Sequence, residues 1–173
     1  MKKKYQIKIG ILGGTFDPPH KGHLYISKIA LKKLKLKKIL WIVTKKNPLK
    51  KTPFLKLKDR IKLSKAITKY NKRISVKYFD DKIKSSNTFH LLRYVKKHSR
   101  KKQLFFLIGA DNLKKFHKWN SWKKIPNLAN IVVFPRKNCS YNSIATKKLN
   151  KKHFIYIKSK KIDISSSIIR KFW

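Results

Sequence analysis

The sequence predicts an α/β protein, built on a doubly wound, mostly parallel sheet with helices on both faces. Three observations lead there. Short apolar runs alternate with helix-length amphipathic segments along the whole chain. The strand runs are apolar throughout, as in Ile39-Leu40-Trp41-Ile42-Val43, which implies burial on both sides. The length of 173 residues and the 41% hydrophobic content suit a single domain, residues 1–173, with a real core. No internal repeat and no domain-sized linker interrupts it.

The elements follow in order. Residues 7–12, Lys8 aside, form an apolar run ending at Gly13-Gly14, a buried strand entering a tight loop. Residues 21–35 read as a helix, with Ile26, Ile29, Ala30 and Leu34 on one side. Lys21, Lys28, Lys32 and Lys35 fall on the other side, and Lys33 lies awkwardly on the apolar one. Residues 39–43 are the second strand, and Asn47-Pro48 and Pro53 mark a loop. A helix over 57–69, a strand over 74–78 and a helix over 88–98 come next. The strand over 103–108 ends at Gly109, and a short helix over 112–117 leads to a Trp-containing turn. A strand over 129–134 precedes a polar stretch, 135–152, with room for one short helix. The last strand covers 153–157, and a C-terminal helix covers 165–172 within the same domain. In such sheets ligands bind at the carboxyl ends of the strands.

Composition narrows the function classes. There are 48 basic and six acidic residues, a formal net charge of +42. All six acids are Asp, and the basic side is 42 Lys and six Arg. Without Glu, no helix is held by Glu–Lys pairs, and a multi-carboxylate metal site is hard to build. A two-carboxylate hydrolase would draw on very few acids. The lone Cys139 excludes an internal disulfide and a Cys-based zinc site. The longest run without a charged side chain is the eleven residues 125–135, against about 20 for a membrane span. Lys2, Lys3 and Lys4 resemble the start of a signal peptide. The apolar run behind them is broken by Lys8 and Gly10, which favours a strand and a cytoplasmic location. Basic proteins bind nucleic acid by releasing counterions, but dedicated binders cluster their charge and favour Arg. Here Lys is dispersed over the whole length, as drift in base composition would leave it. The expected partners therefore include no specific nucleic acid and no membrane, and a homo-oligomer is left open.

The scarce residues carry more information. Of five glycines, Gly13, Gly14 and Gly22 flank one loop and Gly109 ends the fourth strand. Each can serve a turn that needs positive φ, or a close approach of backbone to ligand. The first loop reads Gly13-Gly14-Thr15-Phe16-Asp17-Pro18-Pro19-His20-Lys21-Gly22-His23. His20 and His23 are three apart across a helix start, so both can face one pocket. Their N–H groups suit a charged phosphoryl transition state. No third ligand lies nearby, so they are not read as a metal site. The segment lacks the Gly-Lys-Ser/Thr ending of a P-loop. Near the C-terminus, Ser165-Ser166-Ser167 can cap a helix whose first N–H groups bind an anion, with Arg170 one turn on.

The opening segment resembles the signature of the nicotinate-nucleotide adenylyltransferases, members of the H-x-G-H nucleotidyltransferase superfamily with a Rossmann-like fold. Their G-G-[ST]-F-D-P-x-H-x-G-H pattern is met at every position from Gly13 to His23. Other landmarks recur in order: Asn47-Pro48-Leu49-Lys50, Ser86-Asn87-Thr88, Gly109-Ala110-Asp111, Phe116 through Trp119, Arg136, and Ile164 through Arg170. The resemblance spans about residues 7–171. It implies transfer of the adenylyl group of ATP to nicotinate mononucleotide, with magnesium carried by ATP. It implies that His20 and His23 are catalytic and contact ATP together with Gly13, Gly14, Thr15, Phe16, Gly109 and Asp111. Ser165, Ser166, Ser167 and Arg170 are implied at the β- and γ-phosphates. Lys50, Thr88, Trp119, Asn120 and Arg136 are implied on the mononucleotide, with Trp119 stacked on its ring. Asp111 is expected to bond ribose hydroxyls, and also reads as the N-cap of the helix from Asn112. Asp17 is expected to brace its loop, and Trp122 to serve packing. Asn87 stands where the family commonly has Tyr, His90 where it often has Asp, and Lys137-Asn138 where it has Pro-Gly. The rival readings are a pantetheine-phosphate adenylyltransferase, which shares the H-x-G-H logic, and a basic nucleic-acid-binding protein on the same scaffold.

Overall fold

The computed structural model describes residues 7–160 and 164–172; Lys2, Lys3 and Lys4 lie outside them. Six strands form one sheet: β1 (Ile7–Gly14), β2 (Lys38–Val43), β3 (Ile74–Tyr78), β4 (Lys102–Gly109), β5 (Asn130–Phe134) and β6 (Phe154–Tyr156). Their order is β3-β2-β1-β4-β5-β6, and every pairing is parallel. The helices are α1 (Lys21–Lys33), α2 (Leu57–Thr68), α3 (Asp80–Ile83), α4 (Thr88–Lys97), α5 (Ala110–Lys115), α6 (Ile144–Lys148) and α7 (Ser166–Ile169). No helix of the described residues is long and apolar enough to cross a membrane.

Alternation along each strand divides the apolar side chains between two cores. Leu104, Phe106 and Ile108 of β4 face one core, with Leu91, Leu92 and Val95 of α4 and Leu113 of α5. Phe105 and Leu107 face the other, with Ile26, Ala30 and Leu31 of α1. Each fully buried side chain of this size contributes roughly 1.5–3 kcal/mol relative to exposure. Gly10 belongs to this packing. A Cβ there would lie 2.8 Å from Ile39 and 2.9 Å from Leu36, so only glycine lets the connection after α1 close onto β1.

The switch point locates the site. β1 and β4 are neighbours, yet the chain leaves β1 toward β2 and leaves β4 toward β5. Right-handed crossovers in opposite directions put α1 and α5 on opposite faces, which opens a crevice at the carboxyl ends of β1 and β4.

Several local readings change. Asp111 is not an N-cap: α5 begins at Ala110 with Gly109 as cap, and Asp111 lies in its first turn. The C-terminal helix is one α turn followed by a 3-10 turn, Arg170–Phe172. Helix α3 and the 3-10 turn Trp122–Asn127 are additions, too short to show a period in sequence. The polar stretch does hold a short helix, α6, with a reciprocal cap between Ser143 and Thr146. Lys33, on the apolar side of α1, reaches past it to donate to the Lys158 carbonyl at 2.7 Å.

Candidate active site

A cavity of about 630 Å3 opens where β1 and β4 end. Gly13, Gly14, Thr15, Phe16, His20 and His23 line it from the first loop, and Gly109, Asp111, Trp119, Asn120 and Arg136 from the β4 and β5 side. Lys50, Thr88, Ser165, Ser166, Ser167 and Arg170 complete the set, so the residues that the resemblance implies on ATP and on the mononucleotide all line one cavity. Segments more than 140 residues apart in sequence touch there, as where the Ser166 hydroxyl donates to the Pro18 carbonyl at 2.9 Å.

His20 is the N-cap of α1, and the two histidines cap each other's backbone. The Gly22 N–H donates to His20 Nδ1 at 3.1 Å, and the His20 N–H donates to His23 Nδ1 at 3.2 Å. Each Nδ1 is therefore an acceptor, and the ring proton belongs on Nε2. The ring centroids are 3.9 Å apart. Burial, and then the Arg136 charge, lower the His20 pKa from 6.5 to about 4. Burial also pushes His23 well below 6.5, reinforced by His20, Arg136 and Lys50. The pair is thus two neutral imidazoles, each with one N–H to give. Behind them Phe16, itself 2% exposed, stacks on Trp41 at 5.0 Å and meets His23 at 4.9 Å.

None of the five glycines has positive φ, so turn geometry does not account for them; at Gly22 and Gly109 steric room does. A Cβ on Gly22 would stand 2.8 Å from His20 Nδ1 and 3.0 Å from Ile164. One on Gly109 would stand 2.3 Å from the Asp111 carboxylate and 3.2 Å from Arg136 Nε. At Gly13 and Gly14 the nearest atoms are 3.7 Å away, so protein packing leaves room at this wall of the cavity.

The cavity wall is cationic, with Lys46, Lys50, Lys51, Lys118, Arg136 and Arg170. Its three carboxylates are engaged by protein donors. Asp17 braces the loop, as expected: it accepts from the N–H groups of Phe54 and Leu55, each at 2.8 Å, and meets Arg170 at 3.4 Å. Arg170 also donates to the Asp17 carbonyl. Asp111 faces Arg136 at 3.5 Å, and Arg136 donates to the Ile164 carbonyl at 2.9 Å. Ser165 caps α7 by accepting from the Ile168 N–H, and the Ser167 hydroxyl accepts from Arg170. Among the described residues no group of three His, Cys, Asp or Glu is placed to hold a metal ion.

Trp119 is half-buried, propped by Phe116 at 5.1 Å and by the edge of Phe106 at 6.0 Å. Trp122 packs edge-on against Phe116 at 6.4 Å and does not line the cavity, as expected of a packing residue. Where the family pattern has Pro-Gly, Asn138 takes φ 56 in a turn closed by the Cys139 N–H on the Arg136 carbonyl. Asn is among the residues that tolerate this region, so the turn survives the departure. His90 is held by Ser85, with Nδ1 to Oγ at 2.8 Å, and does not line the cavity.

Two residues of this region were not foreseen. Arg60, 2% exposed, and Asp80, 5% exposed, lie beneath the loops that follow β1, β2 and β3. Burial lowers the pKa of Arg60, opposed by Asp17 and Asp80. The available signal was rarity: each is one of six of its kind, and Arg60 falls on the same helical face as Ser64.

Comparison with known proteins agrees with this geometry. The cytidylyltransferase-like family model matches residues 11–172. A protein of Pelagibacter ubique (strain HTCC1062), named "Probable nicotinate-nucleotide adenylyltransferase", is 48% identical over 167 residues, 95% of this chain and 92% of that one. A protein of Rhizobium meliloti (strain 1021) with the same name is 39% identical over 129 residues, covering 74% and 68%. The solved structure of Plasmodium falciparum nicotinic acid mononucleotide adenylyltransferase complexed with NaAD superposes with a TM-score of 0.79 at 21% identity, over 96% of this chain and 83% of that one. At that identity the match speaks for the fold. The chain belongs to the cytidylyltransferase-like family, and within it to the nicotinate-nucleotide adenylyltransferases.

Proposed function

We propose that the cavity joins ATP to nicotinate mononucleotide, giving nicotinate adenine dinucleotide (deamido-NAD) and pyrophosphate in NAD biosynthesis. The observation that carries this is the lining of one cavity, which brings together two neutral histidines, Arg170 and a propped Trp119. A 5′-phosphate oxygen of the mononucleotide attacks the α-phosphorus, and the bond to the bridging oxygen of the β-phosphate breaks. Pyrophosphate takes the electron pair, and no protein nucleophile is needed. His20 and His23 offer Nε2–H to the α-phosphate oxygens, held in place by their reciprocal caps. Gly13 and Gly14 leave room for ATP against the backbone, Thr15 lines the cavity beside them, and Phe16 supports His23 from behind. Ser165–Ser167 and Arg170 receive the leaving phosphates, and Gly109 and Asp111 receive the ribose. Lys50 and Arg136 hold phosphate, while Thr88 and Asn120 flank the acceptor.

Trp119 supplies a flat face for a pyridine ring, and Lys118 beside it suits a carboxylate. Phosphopantetheine has no flat ring to place there, which favours the nicotinate reading over its nearest rival. Asp17, Asp80 and Asp111 each meet protein donors, so magnesium would come with ATP and take few or no ligands from protein carboxylates. The reading extends to one catalytic domain over residues 1–173, a cytoplasmic enzyme with no specific nucleic-acid partner and no membrane attachment. The test is pyrophosphate release from MgATP. It must require nicotinate mononucleotide and yield the dinucleotide in equal amount; release from MgATP alone contradicts the reading.

A further inference from the structure

The loops that carry Thr15 and Lys50, and the segment that leads into Thr88 at the start of α4, have no regular secondary structure of their own at the cavity, yet they must hold their positions around two substrates. We infer that Arg60 and Asp80 are positioning residues that lace these loops together from beneath. Arg60, on α2, turns all three guanidinium nitrogens to carbonyls. Nη1 donates to Thr15 O and to Thr44 O, both at 2.7 Å, Nη2 to Lys45 O at 2.9 Å, and Nε to Leu55 O at 3.1 Å. Asp80, just past β3, gathers donors from the other side. Its Oδ2 accepts from the Lys45 N–H at 2.7 Å, the Thr44 hydroxyl at 2.9 Å and the Ser86 hydroxyl at 2.6 Å.

The peptide unit Thr44–Lys45 is thus gripped from both sides, its own carbonyl and the next one by Arg60 and its N–H by Asp80. That unit is the root of the loop bearing Lys50. Through Thr15, Arg60 ties the root to the loop of the two histidines. Through Ser86, Asp80 ties it to the segment that opens α4 at Thr88. Buried charges are costly unless fully partnered, and these two are partnered almost entirely by loop backbone and loop hydroxyls. A point-charge lysine cannot replace the planar fork of Arg60.

The kinetic consequence rests on the proposed acceptor. Among the described residues the hydrogen bonds of the Asp80 carboxylate go to the Lys50 root and to Ser86, so its loss falls mainly on the acceptor side; Arg60 also holds Thr15, so its loss falls on both substrates. Asp80→Ala raises the KM for nicotinate mononucleotide about tenfold or more and changes kcat less than about threefold. Asp80→Asn, which keeps an acceptor oxygen of the same shape, recovers most of it. Arg60→Lys raises the KM of MgATP and of the mononucleotide together. Hydrogen exchange provides a readout independent of the acceptor's identity. In Asp80→Ala, amides of residues 44–52 and 85–88 exchange about tenfold faster while β1 and β4 keep their protection. If Asp80→Ala does not fold, Asp80→Asn carries both measurements with smaller shifts of the same sign. Unchanged KM and unchanged loop exchange in a folded variant overturn the inference, as does exchange that rises equally everywhere. Absence of turnover in the wild type would overturn the acceptor reading instead, and the exchange pattern would still decide the lacing.

Discussion

His20 does two jobs with one ring: Nδ1 caps α1 and Nε2–H is left for chemistry. The jobs separate in His20→Asn, because Asn is also a preferred N-cap. That variant keeps its fold and loses roughly 10²–10³-fold in kcat, the usual loss for one transition-state donor. Near-normal turnover would remove His20 from the mechanism. The depressed pKa gives a second test. The unfolded chain takes up the His20 proton near pH 6.5, the folded chain only near 4. Between these values the unfolded state binds the extra proton, so stability is full above 6.5 and is lost as pH falls through the window. Thermal midpoints measured from pH 7 to 4.5 should fall less steeply in His20→Asn than in the wild type. Equal slopes, or a His20 ring titrating near 6.5 by NMR, would contradict the burial account. At this scale the sequence was readable where chemistry is contiguous, as from Gly13 to His23. Arg60 and Asp80 were not readable, because their partners are backbone groups and hydroxyls assembled from three loops, which leave no spacing.

Among the elements, the strands announced themselves and the short helices did not. The run over 74–78 was legible to the residue, because β3 needs only a few consecutive apolar or β-branched positions. Helix α3 spans four residues, about one turn, and cannot display a 3.6-residue period. The β4–α5 junction was misjudged because Asp111 is a good cap in isolation, whereas Gly109 takes the cap and frees Asp111 to meet Arg136. The C-terminal segment closes over the first loop through Arg170 on Asp17 and Ser166 on Pro18. Arg170→Lys keeps the charge but loses the fork, so the KM for MgATP should rise about tenfold while the acceptor KM moves little. A change confined to the acceptor would misplace Arg170.

Over the whole molecule, the charge of +42 is mostly unpaired, since six aspartates can neutralise few of 48 cations. Its dispersal is what the sequence offers against a dedicated nucleic-acid function, and the cationic part of the cavity wall suits the anionic substrates proposed. Self-repulsion remains, and salt screens it: the Debye length falls from about 30 Å at 0.01 M to about 8 Å at 0.15 M. The thermal midpoint should therefore rise by several degrees over that range, and a flat or falling midpoint would show that the lysines are not under mutual strain. The doubly wound fold was legible from alternation alone; the convergence of distant segments on one cavity was not, because periodicity carries no register between strands.

The most direct measurement is initial-rate turnover with MgATP and three acceptors: nicotinate mononucleotide, nicotinamide mononucleotide and phosphopantetheine. A cavity with a flat Trp119 face and a cationic wall predicts the highest kcat/KM for nicotinate mononucleotide, by about tenfold or more over each of the others. Equal or better use of either other acceptor would contradict it.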